Sequence, residues 1–597
     1  MTSRTHYTPP RHSSHNGSMG AQKSPPEKAI PVAKLEQWRS SFLLALIMLA
    51  MAVLALWAVW LQLISNDFLQ AKGAARYSRL LEIAAPRGKI YDRNMLVLAS
   101  NVPARAIWII PEEVKMTATQ EANLAKLLGI SVTDVRKKMA KDDKRFVYLR
   151  RQVDQDVADK IKEMNIPGVY SQKEVKRDYP QGDVFAHLTG FTNIEGDGQD
   201  AIEWAYNKTI EGKPGSRRVI RDRIGNVIED EGVVEAAVPG QDVVLSLDAR
   251  VQYIVFNALR EVVDVKHAKS ASAMVVDTQT GEVLAMANYP SFDPNKRSGM
   301  TGDQLRNRAL TDVFEPGSTL KPFSVSLALE EGLVTPTTII DAQGGRLQIG
   351  DANISDSHPN GALTVEQVIQ KSSNVGTSKI ALKLKPVDMW TMFNSLGFGQ
   401  SYKVGFPSVA AGILRPYKSW QPIEQATMSY GHGIAMSLLQ LTHAYTIFAR
   451  DGELIPLTFI KASNSDVVSG TKVFSPKTMA AMRKMMEMAT EPGGTAPKAQ
   501  VIGYRVAGKT GTAYKVEGNG YNKNKYVASF AGLAPASKPR IIVTVIVDEP
   551  PEAEHFGGLI AAPVFSQIVS ETLRTLSVAP DAPYKTAVVT DGVGESM

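Results

Sequence analysis

Residues 41–64 read SFLLALIMLAMAVLALWAVWLQLI, 24 residues without a charge. At a rise of about 1.5 Å per residue, such a run spans a hydrocarbon layer of roughly 30 Å. It is too long for a buried core helix and shows no amphipathic stripe. A cleaved leader would have a shorter apolar core, about 7–15 residues, followed by small residues. The run therefore predicts an uncleaved transmembrane anchor, with Trp57 and Trp60 suited to the interfacial belt. Arg4, Arg11, Lys23, Lys28, Lys34 and Arg39 precede it, against Lys72, Arg76 and Arg79 after it. That excess places the N-terminus in the cytoplasm, with the remainder of the chain beyond the inner membrane as a periplasmic, single-pass protein.

The chain beyond the anchor is too long for one core, so at least two folded units are expected. Residues 1–40 are rich in Pro, Ser and His and read as a disordered cytoplasmic tail. Residues 65–239 mix short strand-like runs with charged helices such as QDVADKIKEM and show no catalytic constellation. From about Val238 the character changes. Apolar strands (ASAMVVD, GEVLAMAN, YRVAGKTG, VASFAGLAP, RIIVTVIVDEP) appear at both ends of residues 240–580, with helices such as TVEQVIQKSSNVGTSKIALKL between them. Strands at both ends and helices between predict an α+β domain whose sheet joins distant parts of the chain, its last two strands forming an antiparallel hairpin. Residues 581–597 read as a loose tail. A net charge of +7, spread along the chain, does not suit a nucleic-acid binder, and the lack of cysteine removes thiolate chemistry.

The chemistry concentrates in three short motifs. In FEPGSTLKPF, Ser318 follows a Pro-Gly turn and opens a helical run, with Lys321 three positions on and on the same face. A serine hydroxyl is a weak nucleophile until a base takes its proton, and a lysine can be that base only when neutral. Taken alone the pattern is weak: Ser318 could be a helix cap, and Ser469–Lys472 repeats the spacing by accident in what reads as a turn. The other two motifs are Ser372-Ser373-Asn374 and the strand-like Lys509-Thr510-Gly511-Thr512.

With S-x-x-K, S-x-N and K-T-G in that order, the chain resembles the penicillin-recognising serine acyltransferases. RGKIYDRN at residues 87–94 resembles the start of the non-catalytic module of class B penicillin-binding proteins. HLTGFTN, EPGGTAPKA and FGGLIAAPVF resemble the division-specific (septal) branch. The resemblance implies a transpeptidase domain (residues 240–580) preceded by a non-catalytic pedestal of dimerisation type (residues 65–239). It implies a peptidoglycan D,D-transpeptidase that cross-links stem peptides through a serine acyl-enzyme and is acylated by β-lactams. In that reading Ser318 is the nucleophile, Lys321 the base, and Ser372 a proton relay steered by Lys509. Asn374 bonds the substrate backbone and helps hold Lys321. Thr510, Gly511 and Thr512 form the substrate-binding and oxyanion strand: the Thr510 and Thr512 side chains, with the charge of Lys509, hold the terminal carboxylate, and the Thr512 N–H shares the oxyanion hole with that of Ser318. No metal, cofactor or nucleotide is implied; the implied partners are a membrane glycosyltransferase and other division proteins. Two positions depart from the family pattern: Ala201, where a glycine usually precedes Glu203, and His432, at a usually apolar site.

Rival readings remain. An elongation-type transpeptidase shares the catalytic set. Serine β-lactamases and D,D-carboxypeptidases share it too, but a class A lactamase also needs a glutamate that activates water, and no segment between Asn374 and Lys509 obviously supplies one. A non-enzymatic sensor would need a signalling domain that some 40 cytoplasmic residues cannot form. Residues 503–510 match the phosphate-loop pattern G-x-x-x-x-G-K-T, but YRVA reads as strand and the following GTAYKVEGNGYN does not read as helix. The valine-rich runs ending at Asp277 and Asp548 read as buried strands rather than Mg²⁺ sites.

Overall fold

A computed structural model describes residues 36–64, 78–140, 146–221, 227–463, 467–518 and 520–583. Most of the expected N-terminal tail, the C-terminal tail from residue 584, and Lys72 and Arg76 beyond the anchor lie outside the described residues. The chain divides into two compact units, residues 1–81 with 218–232 and the rest.

The first unit contains the apolar helix Gln37–Val59, which runs into a wider π turn at Trp60–Ile64. Leu and Ala dominate it, and it holds neither Pro nor Gly, so nothing in the sequence interrupts helical hydrogen bonding. None of the helix's residues is buried, and it is long and apolar enough to cross a membrane. Most of a three-stranded sheet, in the order Ser78–Ile83, Gly215–Arg221, Val227–Glu235, accompanies it.

In the second unit, Val97–Ile109 is the centre of the pedestal, pairing antiparallel with Val147–Asp154, Val169–Asp178 and Ile90–Tyr91. Helices Ala118–Leu128 and Gln155–Glu163 close a small core around Ile107, Ile109, Leu124, Leu149 and Ile161. Beside it, Glu203 is fully buried, accepting from Arg87 Nε and Arg177 Nε at 2.7 Å each. Val243–Val244 lies parallel to Ile90–Tyr91, so the pedestal sheet takes its last strand from just beyond the change of character near Val238.

The larger core surrounds a five-stranded antiparallel sheet ordered Val283–Tyr289, Ser270–Asp277, Ile541–Asp548, Gly520–Ala534, Ala507–Glu517. Two stretches more than two hundred residues apart thus share one sheet, and its last two strands in the sequence form the expected hairpin. Strand alternation sorts the faces. Thr510, Phe530 and Val545 point to one side, where Phe530 meets Phe565 of helix Gly557–Thr575 with ring centroids 4.5 Å apart. Lys509, Ala531 and Thr544 point to the other, where Thr544 Oγ1 lies 2.6 Å from Thr442 Oγ1 of the wholly buried helix Leu438–Ala449. Lys509 therefore faces the central helical layer.

Several local readings change. TVEQVIQKSSNVGTSKIALKL is two helices, Val365–Lys371 and Asn374–Ala381, because Ser372 takes φ 60° and ends the first. YRVA is not strand until its last residue: Tyr504 closes a tight turn with Val501, Arg505 and Val506 are irregular, and the strand begins only at Ala507. Thr471–Lys472 is not a turn but a short strand on Glu453–Leu454. Asp277 is ion-paired with Arg540, and Asp548 with Lys515 at 2.7 Å.

Candidate active site

Ser318 sits in a single 3₁₀ turn, Gly317–Leu320, and the α-helix proper starts at Lys321. At three residues per turn, positions i and i+3 eclipse, so the two side chains share a face before the α-helix begins. Pro322 falls in the first α-helical turn, where its missing N–H costs nothing. The turn is held from below: Thr319 Oγ1 donates to the Pro316 carbonyl and Tyr445 O–H to the Thr319 carbonyl, both at 2.8 Å.

It is wedged between two neighbours. On one side runs the strand Ala507–Glu517. A Cβ on Gly511 would stand 2.6 Å from the Pro316 carbonyl oxygen, and one on Gly317 (φ 55°) would stand 2.9 Å from that of Thr512. On the other side Gly431 (φ 91°) presses against Gly317, and a Cβ there would stand 2.2 Å from the Gly317 carbonyl oxygen. The K-T-G glycine thus lets the strand backbone reach the Ser318 turn.

Ser372 supplies the centre of the polar site. Its left-handed conformation turns the chain between two helices and keeps the residue buried. Its hydroxyl oxygen lies 3.0 Å from Lys321 Nζ and 2.8 Å from Lys509 Nζ. Lys321 Nζ also donates to the Ser372 carbonyl, and Lys509 Nζ to Thr510 Oγ1 at 3.2 Å. Both lysines are fully buried, and Ser318 is only 4% exposed. Asn374, first in its helix, donates to the Ser355 carbonyl at 3.1 Å, while its buried Oδ1 meets no donor among the described residues. Thr510 Oγ1 meets Thr495 Oγ1 at 3.0 Å, and Thr512 Oγ1 accepts from the Gly557 N–H at 3.1 Å. All eight residues singled out in the sequence are therefore buried in the same unit, on three segments that converge on the Ser318 turn and the Ser372 hydroxyl.

Sequence reasoning missed a second ring of residues. Glu315, three before Ser318, accepts from the Gly433 N–H and the Tyr521 hydroxyl, with His432 Nδ1 3.3 Å away. His432 packs its ring against Tyr430 and Tyr521, so its departure from the apolar pattern has a polar partner. Tyr430 also stands over Lys321, Nζ 5.9 Å from the ring centroid. Burial first, and Glu315 with it, pushes the phenols of Tyr430 and Tyr521 above their ordinary range, so both stay neutral O–H groups. The phosphate-loop pattern is excluded by geometry: Lys509 lies inside a strand that continues to Glu517, with no helix N-terminus behind it.

A turn carrying Ser318, a buried lysine one 3₁₀ turn on, and a strand lysine sharing Ser372 with it define an active-site-serine acyltransferase on an α+β scaffold. Residues 271–570 match the family described as penicillin binding protein transpeptidase domain, and residues 82–245 match the penicillin-binding protein dimerisation domain. The chain belongs to the penicillin-binding protein transpeptidase family. It is 38% identical to the probable peptidoglycan D,D-transpeptidase PenA of Neisseria meningitidis serogroup A over 95% of this chain and 97% of that one. To the peptidoglycan D,D-transpeptidase FtsI of Escherichia coli K12 it is 39% identical over 94% and 96%. Among solved structures, the apo transpeptidase domain of Burkholderia pseudomallei penicillin-binding protein 3 is 52% identical, with a TM-score of 0.53 over 57% of this chain and 98% of that one. A peptidoglycan synthetase from Bifidobacterium adolescentis is 25% identical, with a TM-score of 0.66 over 87% of this chain and all of the other.

Proposed function

We propose that the chain is a peptidoglycan D,D-transpeptidase in which Ser318 forms the acyl-enzyme. The observation that carries the reading is the Ser372 hydroxyl held between Lys321 Nζ and Lys509 Nζ in one buried site. A hydroxyl has one proton and two acceptor sites, so it can take a bond from a cationic Lys509 and pass its own proton toward a neutral Lys321. Burial and a cationic neighbour are the two conditions that favour a neutral lysine, and Lys321 has both.

Ser318 Oγ attacks the carbonyl of the penultimate D-alanine, and its proton goes to Lys321. The backbone N–H groups of Ser318 and Thr512 stabilise the oxyanion, a role supported by how closely the Gly511 backbone approaches the turn. Collapse breaks the peptide bond, and the terminal D-alanine leaves with a proton delivered through Ser372. Thr510, Thr512 and the Lys509 charge hold its carboxylate, and the open Oδ1 of Asn374 accepts a substrate N–H. The amine of a neighbouring stem then attacks the ester, loses its proton to the same relay and frees Ser318, giving ping-pong kinetics.

Covalent labelling by a fluorescent penicillin tests the assignment. In the full chain, Ser318→Ala removes the label while the thermal midpoint stays within a few degrees; labelling that survives would refute it. The likeness to Escherichia coli FtsI supports a septal role, with the N-terminus cytoplasmic, the catalytic unit periplasmic in the cell envelope, and glycan strands supplied by a membrane glycosyltransferase. Depletion should give filaments with unfinished septa, whereas rounded cells with normal septa would assign the enzyme to elongation.

A further inference from the structure

We infer that Glu315 is a positioning residue for acylation, tying three segments of chain into one frame around the nucleophile turn. Its side chain is only 9% exposed. It accepts from the Gly433 N–H at 2.8 Å and from the Tyr521 hydroxyl at 2.9 and 3.1 Å, with His432 Nδ1 at 3.3 Å. The donors come from residues 118 and 206 positions away. One belongs to the loop whose Gly431 presses on Gly317. The other lies on the strand Gly520–Ala534, which pairs along its length with the strand carrying Thr512.

The backbone already ties two of these segments. Phe314 and Met436 exchange N–H···O bonds at 3.0 Å, and the Gly317 N–H reaches the Gly431 carbonyl at 3.3 Å. Glu315 adds the third segment. Without it, the side of the turn facing Tyr521 loses its polar anchor, and Ser318 can drift relative to Lys321 and to the strand. Reaction from a bound complex is steeply sensitive to such drift: a displacement of about 1 Å can cost on the order of 100-fold.

The same geometry argues against a second role. A carboxylate offers about four acceptor sites. Here the Gly433 N–H and the single Tyr521 O–H, shared between the two oxygens, are already directed at the group and the His432 ring stands beside it, which leaves less of it to serve a water molecule at the acyl-enzyme.

The inference rests on Ser318 being the nucleophile, so Ser318→Ala is assayed alongside: if that variant still labels, it is the reading of the site that fails. The full chain in detergent is reacted with a chromogenic penicillin, separating non-covalent affinity, acylation rate and turnover. Glu315→Gln keeps the shape and loses the charge. Its acylation rate should fall about 10-fold, with affinity and thermal midpoint little changed. Tyr521→Phe, at a half-exposed position that should fold regardless, should lose roughly 3-fold and add nothing further in the Glu315→Gln background, as members of one network do. Unchanged acylation in Glu315→Gln would overturn the inference, as would a loss that multiplies independently with Tyr521→Phe. A Glu315→Gln defect confined to penicillin turnover would overturn it by making Glu315 a water-activating base.

Discussion

Ser372 adopts φ 60°, a left-handed conformation that costs an ordinary residue roughly 1–2 kcal/mol. A glycine would sit there more easily, yet it would leave no hydroxyl between Lys321 and Lys509. The strain thus falls on the residue proposed as the proton relay. Ser372→Gly should leave the thermal midpoint unchanged or slightly raised, since relief of strain is offset in part by glycine's greater freedom in the unfolded chain. It should also slow penicillin acylation by about 100-fold or more, in the range of a lost general acid–base group. A variant that is strongly destabilised, or one that acylates normally, would contradict this. Ala201 shows the converse: it keeps φ 46° while buried two residues before Glu203, with no hydroxyl that needs the geometry. The three motifs were legible because each is local in sequence and chemically specific. The backbone of Ser372 was not, since serine has no preference for the left-handed region that a pattern could reveal. Glu315 was not either, because its donors lie far along the chain. The one local hint was a carboxylate placed just before the Pro-Gly turn.

The elements around the site are fitted backbone to backbone. The strand Ala507–Glu517 approaches the serine turn at Gly511, and the loop carrying Gly431 approaches it from the other side. Gly431→Ala combines a φ of 91° with a Cβ 2.2 Å from the Gly317 carbonyl oxygen, and backbone cannot yield as a flexible side chain can. The expected outcome is a fall in acylation of at least about 10-fold, through displacement of Ser318, in protein that still shows native far-ultraviolet circular dichroism. Normal acylation would mean that this packing does not set the turn's position. At this scale the order of strands and helices was readable, because burial on both faces leaves continuous apolar runs such as VASFAGLAP and RIIVTVIVDEP. Boundaries were less so. YRVA carries strand-forming residues, but a tight turn closed by Val501 and Tyr504 ends at its first residue, and regular pairing starts only at Ala507. The break inside KSSNVG was hidden for a related reason: Ser373 caps the second helix by accepting from the Gly376 N–H, and Asp356, far outside that window, accepts from both Ser373 Oγ and the Val375 N–H.

Across the whole molecule, two buried histidines make stability depend on pH away from the catalytic residues. His187 ties the pedestal side to the transpeptidase side: its Nε2 lies 2.8 Å from the Gln304 carbonyl, and its own carbonyl accepts from Asn307. His443 is buried in the central helix, its ring 4.4 Å from that of Tyr402. Burial lowers both to about 4, against opposing backbone hydrogen bonds. Between pH 6.5 and 4 the unfolded chain therefore binds protons that the folded chain does not. Stability falls as pH falls through that window, by up to about 1.4 kcal/mol per pH unit for each histidine. Above about pH 7 both are neutral in either state and the dependence vanishes. Glu549 acts in a lower window. Burial opposes its charge, but the bonds from Lys515 and Lys269 outweigh burial and hold it at about 2. Its contribution is present above its ordinary value of 4.5 and is lost as pH falls toward 2. The two effects are separable by where they act. His443→Gln should flatten the dependence of the thermal midpoint on pH between 6.5 and 4.5 by roughly half while leaving penicillin labelling at pH 7.5 intact. An unchanged slope would show that His443 titrates alike in the folded and unfolded chain, and that its burial carries no acid sensitivity.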